Sequence, residues 1–217
     1  MHLDVLYHDA SILVVNKPSG LLVHRGWGRD SLVLVDLVRE FTQADRVHPV
    51  HRLDRGASGA ILFALDPGTA RVLQDQEDLE KTYLALVRGH PPDEGIIDHP
   101  IPRRQNGPRV PAKTTFRRID SKSCRPRETS LVEAVPHTGR LHQIRRHLKH
   151  IDHPLIGDSN YGRTELNREI AARYGLSRLA LHCRSIKLKL PQKAKTLEID
   201  APLPADLSDP LGKMGFF

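Results

Sequence analysis

Residues 51–65, HRLDRGASGAILFAL, set one carboxylate, Asp54, between two guanidiniums, Arg52 and Arg55, and then run into an unbroken apolar stretch. The switch from a charged, glycine-containing segment to AILFAL predicts a loop that feeds a buried strand. A carboxylate beside arginines is held in its charged form, which suits it to attack an electrophilic carbon or to take a proton. Gly56 and Gly59 give the backbone the freedom to present that group at a cleft. The same pattern also describes a surface ion-pair network, so these residues alone leave both readings open.

Upstream, LDVLY, ILVVN and LLVH read as short strands of a meander, broken by His-Asp-Ala-Ser and Lys-Pro-Ser-Gly turns. Ser31 is placed to cap a helix in LVLVDLVREF, where Leu34, Leu37, Val38 and Phe41 recur at helical spacing. Downstream, Asp66 and Pro67 open a second helix, and KTYLALVRG is a strand with Tyr83, Ala85 and Val87 on one face. Residues 101–111, IPRRQNGPRVP, resist regular structure and read as a basic loop. AKTTFRRI and ETSLVEAV read as strands around the turn SKSCRPR. In RLHQIRRHLKHI, Leu141, Ile144, Leu148 and Ile151 share one helical stripe, with Arg146, Lys149 and His150 opposite. Arg145 lies at the margin of that stripe, where it can turn inward and pair with Asp54. DHPLIGDSNYG is a turn, TELNREIAARYG a helix stopped by Gly175, and LALHCRSIKLKL and KTLEIDA two strands. The last sixteen residues, rich in Pro and Gly, read as a loosely held tail. Strands with interspersed helices make the fold class α+β.

The 217 residues suit a single catalytic domain. No apolar run is long enough to span a bilayer and no export signal opens the chain, so a soluble, cytoplasmic protein is expected. Cys124 and Cys183 stand far apart with no C-x-x-C, as reduced thiols do. The formal charge of +7 is concentrated: residues 101–150 carry thirteen Lys and Arg against three acids, a local +10 that leaves −3 for the remainder. Such asymmetry is the footprint of a nucleic-acid backbone. Aromatic residues are only 5% of the chain, too few for an extended stacking platform, which favours a structured RNA over a long single strand. Of the thirteen histidines, His142, His147, His150 and His153 lie near one helix, but without H-E-x-x-H or a nearby acid they do not read as a metal site. No phosphate-cradling or dinucleotide fingerprint occurs either, so no cofactor is expected.

Three blocks, HRLDRGASG around Asp54, KTYLALVRG around Tyr83 and HTGRLHQIRRHLKHIDHPLIGD around Arg145, together resemble the RluA-type pseudouridine synthases in order and spacing. The opening VLYHDASILVVNKPSGLLVH is similar too, and the resemblance covers residues 3–203. One departure is Ala57, where members of the family usually carry threonine. Within the family the chain looks most like the subgroup that modifies the uridine at position 65 of certain tRNAs, which has no S4-type RNA-binding domain; related members act on ribosomal RNA.

The resemblance implies a large mixed, mostly antiparallel sheet with flanking helices and a central catalytic cleft. It implies an isomerase that detaches uracil from ribose at N1, turns it and rejoins it through C5; a monomer acting on a structured RNA is expected. Asp54 would be the essential carboxylate, attacking C1′ or deprotonating C2′. Arg145 would hold it charged and oriented, and Tyr83 would stack on the uracil and assist loss of the C5 proton, unless it is simply a core tyrosine. Ile144 would supply an apolar wall, and Arg52 would fill the stack left by the everted base. Gln143, Arg140, Arg146, Lys149, Arg103, Arg104 and Arg109 would contact the RNA, mostly at phosphates. A non-catalytic RNA-binding or RNA-chaperone protein is the alternative of another class.

Overall fold

The computed structural model describes residues 2–25, 32–76, 79–103, 107–190 and 196–217. In chain order the elements begin with β1 (Val5–His8), β2 (Ile12–Lys17), α1 (Leu34–Thr42), β3 (His48–Pro49), β4 (Ser58–Ala64) and α2 (Pro67–Gln74). The middle of the chain forms β5 (Glu80–Arg88), β6 (Glu94–Asp98), β7 (Ile101–Pro102), β8 (Arg109–Val110), β9 (Lys113–Lys122), β10 (Thr129–Pro136) and α3 (Gln143–His150). It ends with α4 (Thr164–Tyr174), β11 (Leu181–Lys189), β12 (Thr196–Asp200) and α5 (Ala205–Lys213). This is the expected α+β class, with a large, mostly antiparallel sheet and five helices among the described residues. No described helix is long and apolar enough to cross a membrane. The chain divides into two compact units, Met1–Lys81 with Cys183–Pro202 and Thr82–His182 with Leu203–Phe217.

In the first unit β1, β2, β4 and β11 lie side by side, with β12 on β11 and β3 on β4. AILFA is buried on both faces, and Ile12 to Val15 of β2 are equally enclosed, so these strands form the core. The antiparallel register sets Lys17 opposite Gly59, bringing the Lys-Pro-Ser-Gly turn and the Asp54 loop to the same end of the sheet. Gly59 has φ +111°, and a Cβ there would lie 2.2 Å from the Cys183 carbonyl oxygen, so no other residue fits.

Two expectations in this unit are corrected. Leu21–His24 is not a strand, because the Leu22 and Val23 carbonyls accept the first amides of α1, Leu34 at 2.8 Å and Val35 at 3.1 Å. Those helix-end donors need acceptors, and a neighbouring turn supplies them where no capping side chain does. Ser31 lies outside the described residues. Leu34, Leu37 and Val38 are buried as the spacing predicts, but Phe41 is 47% exposed and packs edge-on to His8 at 5.6 Å. Asp66 caps α2 as expected, accepting from the Thr69 amide at 2.9 Å with Pro67 in the first turn.

The second unit orders its strands β5, β10, β9, β6. The basic segment 101–111 is not simply a loop: Ile101 pairs with Val110 and Pro102 with Arg109 in a two-stranded ribbon. Proline is tolerated there because each ribbon strand has an outer edge that needs no donor. The helix expected from Arg140 begins at Gln143, since His142 takes a left-handed φ of 54°. The C-terminal segment is no loose tail. Leu207, Leu211 and Met214 fall at helical spacing and bury against Leu166, Ile170 and Leu176, with Pro210 accommodated inside α5. Replacing Leu211 by Ala should therefore destabilise the protein by about 2–5 kcal/mol, read as a lower urea midpoint. An unattached tail would leave the midpoint unchanged.

Candidate active site

In the first unit the Asp54 loop is fastened to the Lys-Pro-Ser-Gly turn at several points. The Asp54 carbonyl accepts the Ala57 amide at 3.1 Å, closing a turn with Arg55 and Gly56 at its corner. The Gly20 amide donates to the Arg55 carbonyl at 2.8 Å, Arg55 Nε returns a bond to the Gly20 carbonyl at 3.0 Å, and Ser19 Oγ donates to the Gly56 carbonyl at 2.8 Å. Beneath them Lys17, with no solvent exposure, gives its Nζ to the carbonyls of Pro18 and Leu21 at 2.8 Å and of Arg55 at 3.3 Å. A buried ammonium must find acceptors, and these tie the loop and the turn into one piece.

Along this segment Arg52 is exposed, Leu53 buried and Asp54 half-buried, the alternation expected of extended backbone with Arg52 and Asp54 on the same side. His51 anchors the loop to β4, its Nε2 accepting the Leu62 amide at 3.2 Å. Burial, reinforced by the Lys81 charge, pushes the His51 imidazole down to about 3, so it stays neutral at physiological pH. His24 is lowered as well, first by burial and then by the Arg52 charge, which sets these two side chains in each other's field.

In the second unit Tyr83 sits in β5 opposite Ala134 and is 6% exposed. Arg145 of α3 is buried and bidentate with Asp158, Nε to Oδ2 at 2.7 Å and Nη2 to Oδ1 at 2.8 Å. Asp158 Oδ1 also accepts the amides of Asn160 and Tyr161 at 2.9 and 3.0 Å. Burial pushes the Asp158 carboxyl up, but the Arg145 hydrogen bonds and charge, with the two amides, outweigh it and leave the group below the usual carboxylate range. The Arg145 guanidinium lies 5.2 Å from the centroid of the Tyr161 ring, and the Tyr161 hydroxyl accepts Arg146 Nε at 2.8 Å and meets His142 Nδ1 at 3.1 Å. Sequence reasoning gave Arg145 an inward orientation but missed Asp158 and Tyr161. A guanidinium placed in the interior needs a carboxylate, and the only signal for this one was an Asp in the turn following the helix.

The remaining predicted contacts divide by what they hold. Gln143 is buried, its Oε1 accepting from Thr138 Oγ1 and the Arg140 amide and its Nε2 donating to the Lys113 carbonyl and Thr114 Oγ1, so its amide is occupied within the protein. Ile144 is buried at 5% exposure. Arg146, expected on the outward face, is half-buried and donates Nη1 to the Pro102 carbonyl at 2.8 Å, fastening the ribbon to α3. Arg103, Arg140 and Lys149 are exposed; Arg109 is exposed too, with Nη1 on the Pro100 carbonyl at 2.8 Å. Arg104 lies outside the described residues. His147 bonds Thr114 and the His99 carbonyl, His150 stacks on His99 at 3.7 Å, and His153 bonds the Arg88 carbonyl at 2.8 Å.

Residues 11–150 match the family model described as RNA pseudouridylate synthase. The chain is 38% identical to "tRNA pseudouridine synthase C" of Haemophilus ducreyi, across 94% of this chain and 92% of that protein. It is 37% identical to "Ribosomal large subunit pseudouridine synthase C" of Vibrio cholerae, across 97% of this chain and 69% of that protein. Among solved structures, "Human RNA Pseudouridylate Synthase Domain Containing 4" superposes with a TM-score of 0.76 at 27% identity, covering 97% of this chain and 92% of that one. The matched span contains Asp54, Tyr83 and Arg145, and with it the chain belongs to the RNA pseudouridylate synthase family, as an isomerase of uridine in RNA.

Proposed function

We propose that the protein converts a specific uridine of a tRNA, of the position 65 type, to pseudouridine, with Asp54 as its essential carboxylate. The tRNA target rests on the similarity to the Haemophilus ducreyi protein; the name of the Vibrio cholerae relative favours ribosomal RNA as the second reading. The observation that carries the chemistry is the clasped turn, which holds Asp54 half-buried on backbone tied down at both ends. A fixed carboxylate gains over a mobile one because its orientation is settled before the substrate arrives.

In the reaction the N1–C1′ bond breaks, the uracil turns while still held, and C5 bonds to C1′. The C5 proton is lost and N1 gains one, so no outside reagent is consumed. Asp54 acts at the sugar, by attack on C1′ or removal of the C2′ proton. Tyr83 stacks on the uracil and helps remove the C5 proton, over the apolar surface of Ile144. Arg145 orients the catalytic carboxylate through a charge-assisted hydrogen bond, and Asp158 with Tyr161 sets the direction of its guanidinium. Arg52 enters the stack as the uridine leaves it. Arg103, Arg104, Arg109, Arg140 and Lys149 neutralise phosphates, whereas Gln143 and Arg146 serve mainly by fixing α3 and the ribbon.

Incubation with total tRNA and rRNA from a strain lacking the enzyme, followed by pseudouridine mapping, should show one new site in tRNA and none in rRNA; a new rRNA site alone would overturn the tRNA reading. Asp54→Asn should abolish pseudouridine formation while leaving RNA affinity nearly intact, because affinity comes from phosphate neutralisation. Product from that variant would remove Asp54 from the mechanism and favour a merely RNA-binding role for the loop. Asp158→Asn removes the bidentate anion from a buried guanidinium and should cost roughly 3–5 kcal/mol of stability. Because the folded carboxyl lies below its unfolded value, this contribution is complete above the ordinary aspartate range and is lost as pH falls through the folded pKa. Denaturant midpoints of wild type and variant should therefore converge in acid.

A further inference from the structure

The second unit carries a cavity of about 450 Å³ lined by Arg88, Gly89, Pro126, Arg127, Glu128, Asp152, His153 and Arg163. None of these residues belongs to the catalytic set. The cavity lies where the end of β5, the connection from β9 to β10, the segment after α3 and the start of α4 come together. Both of its carboxylates are already engaged. Asp152 accepts Arg88 Nη2 at 2.7 Å, and Glu128 meets His90 Nδ1 at 3.3 Å.

Its cations are engaged unequally. Arg88 is largely buried and spends Nη2 on the carboxylate and the carbonyl of Asp152, at 2.7 and 3.0 Å. Arg127 and Arg163, both exposed, make no side-chain hydrogen bond or ion pair to any other described residue. Arg163 is also the N-cap position of α4, whose first turn lacks a side-chain cap and carries Glu165. Arg88, Arg127 and Arg163 outnumber the two carboxylates, and two of the three guanidiniums are unspent, so the uncompensated charge of the cavity is positive. Its volume exceeds what one phosphate needs, and it is open to solvent, as a groove that receives part of a longer chain must be.

We propose that this cavity is a subsite for a phosphate-bearing nucleotide of the substrate RNA, gripped by Arg127 and Arg163 away from the uridine that reacts. The inference rests on the RNA-modifying reading above and extends it from the target base to the flanking backbone. A polyanion is favoured over a free anion because Arg125, likewise exposed and without a described partner, continues the positive charge along the same connection. Guanidinium forks suit phosphate oxygens, which accept two N–H bonds at once.

The test measures binding of an unmodified tRNA transcript over a salt series to wild type, to Arg127→Ala/Arg163→Ala, and to Arg39→Ala/Arg46→Ala as an equal charge loss elsewhere. Circular dichroism and the urea midpoint establish that all three are folded. The cavity variant should bind about tenfold more weakly and lose about one to two units of slope in log K against log salt, while the control stays near wild type. Unchanged affinity in the cavity variant, or an equal loss in the control, would overturn the proposal. Retained RNA affinity together with lost binding of adenosine 5′-monophosphate would overturn it in favour of a free-nucleotide site. Pseudouridine formation by wild type on the same transcript is scored separately, so failure of the functional reading is told apart from failure of the subsite.

Discussion

A lysine ammonium with no access to water must be solvated by the protein itself, and the arrangement around Lys17 follows from that demand. Three carbonyls surround its Nζ, and one of them belongs to Arg55, the residue after the proposed catalytic carboxylate. The cost of leaving that charge unsolvated would exceed the net worth of several ordinary hydrogen bonds. The turn and the loop are thereby held in register, and Asp54 inherits its position from a lysine far away in sequence. The close approach at Gly59 sets the same loop from its other end, because only a residue without Cβ fits there, one residue into β4, against the Cys183 backbone.

The second unit solves a similar problem with an ion pair. Arg145 and Asp158 are both withdrawn from solvent, and the pair is tolerable because each oxygen of the carboxylate is occupied and two backbone amides share the load. Tyr161 closes the arrangement from above the guanidinium while its hydroxyl takes up Arg146. A guanidinium held by two parallel bonds and a ring face has few directions left to turn. In both units the charged group proposed for chemistry is supported by neighbours that do none.

Much of this was legible from the chain alone, for identifiable reasons. AILFAL, KTYLALVRG and the Asp66-Pro67 cap declare themselves through local pattern, and the outward Arg52 and Asp54 follow from period-two alternation. The misreadings occurred where a distant segment decides. Leu21–His24 is drawn out of strand geometry by the helix it caps, and Phe41 is left half-exposed although its spacing is helical. Proline and glycine in the last sixteen residues masked the spacing of Leu207, Leu211 and Met214, which packing against α4 turns into a helix. Asp158 and Tyr161 went unnoticed because a turn containing Gly and Asp reads as a turn, and nothing local reveals that its carboxylate points inward.

The charge count needs the same correction. Thirteen cations in residues 101–150 suggest an unbroken basic face, yet several are consumed within the fold. Arg117 pairs with Glu133, Arg118 with Asp93, Lys122 with Asp120 and Arg145 with Asp158, while Arg146 holds a carbonyl and a tyrosine. What remains turned outward is a smaller set, among them Arg103, Lys113, Arg125, Arg127, Arg140 and Lys149. Counterion release depends on cations that reach phosphates, not on those that hold the protein together. The salt dependence of RNA binding should therefore follow this outward set, and it will be shallower than the sequence count implies.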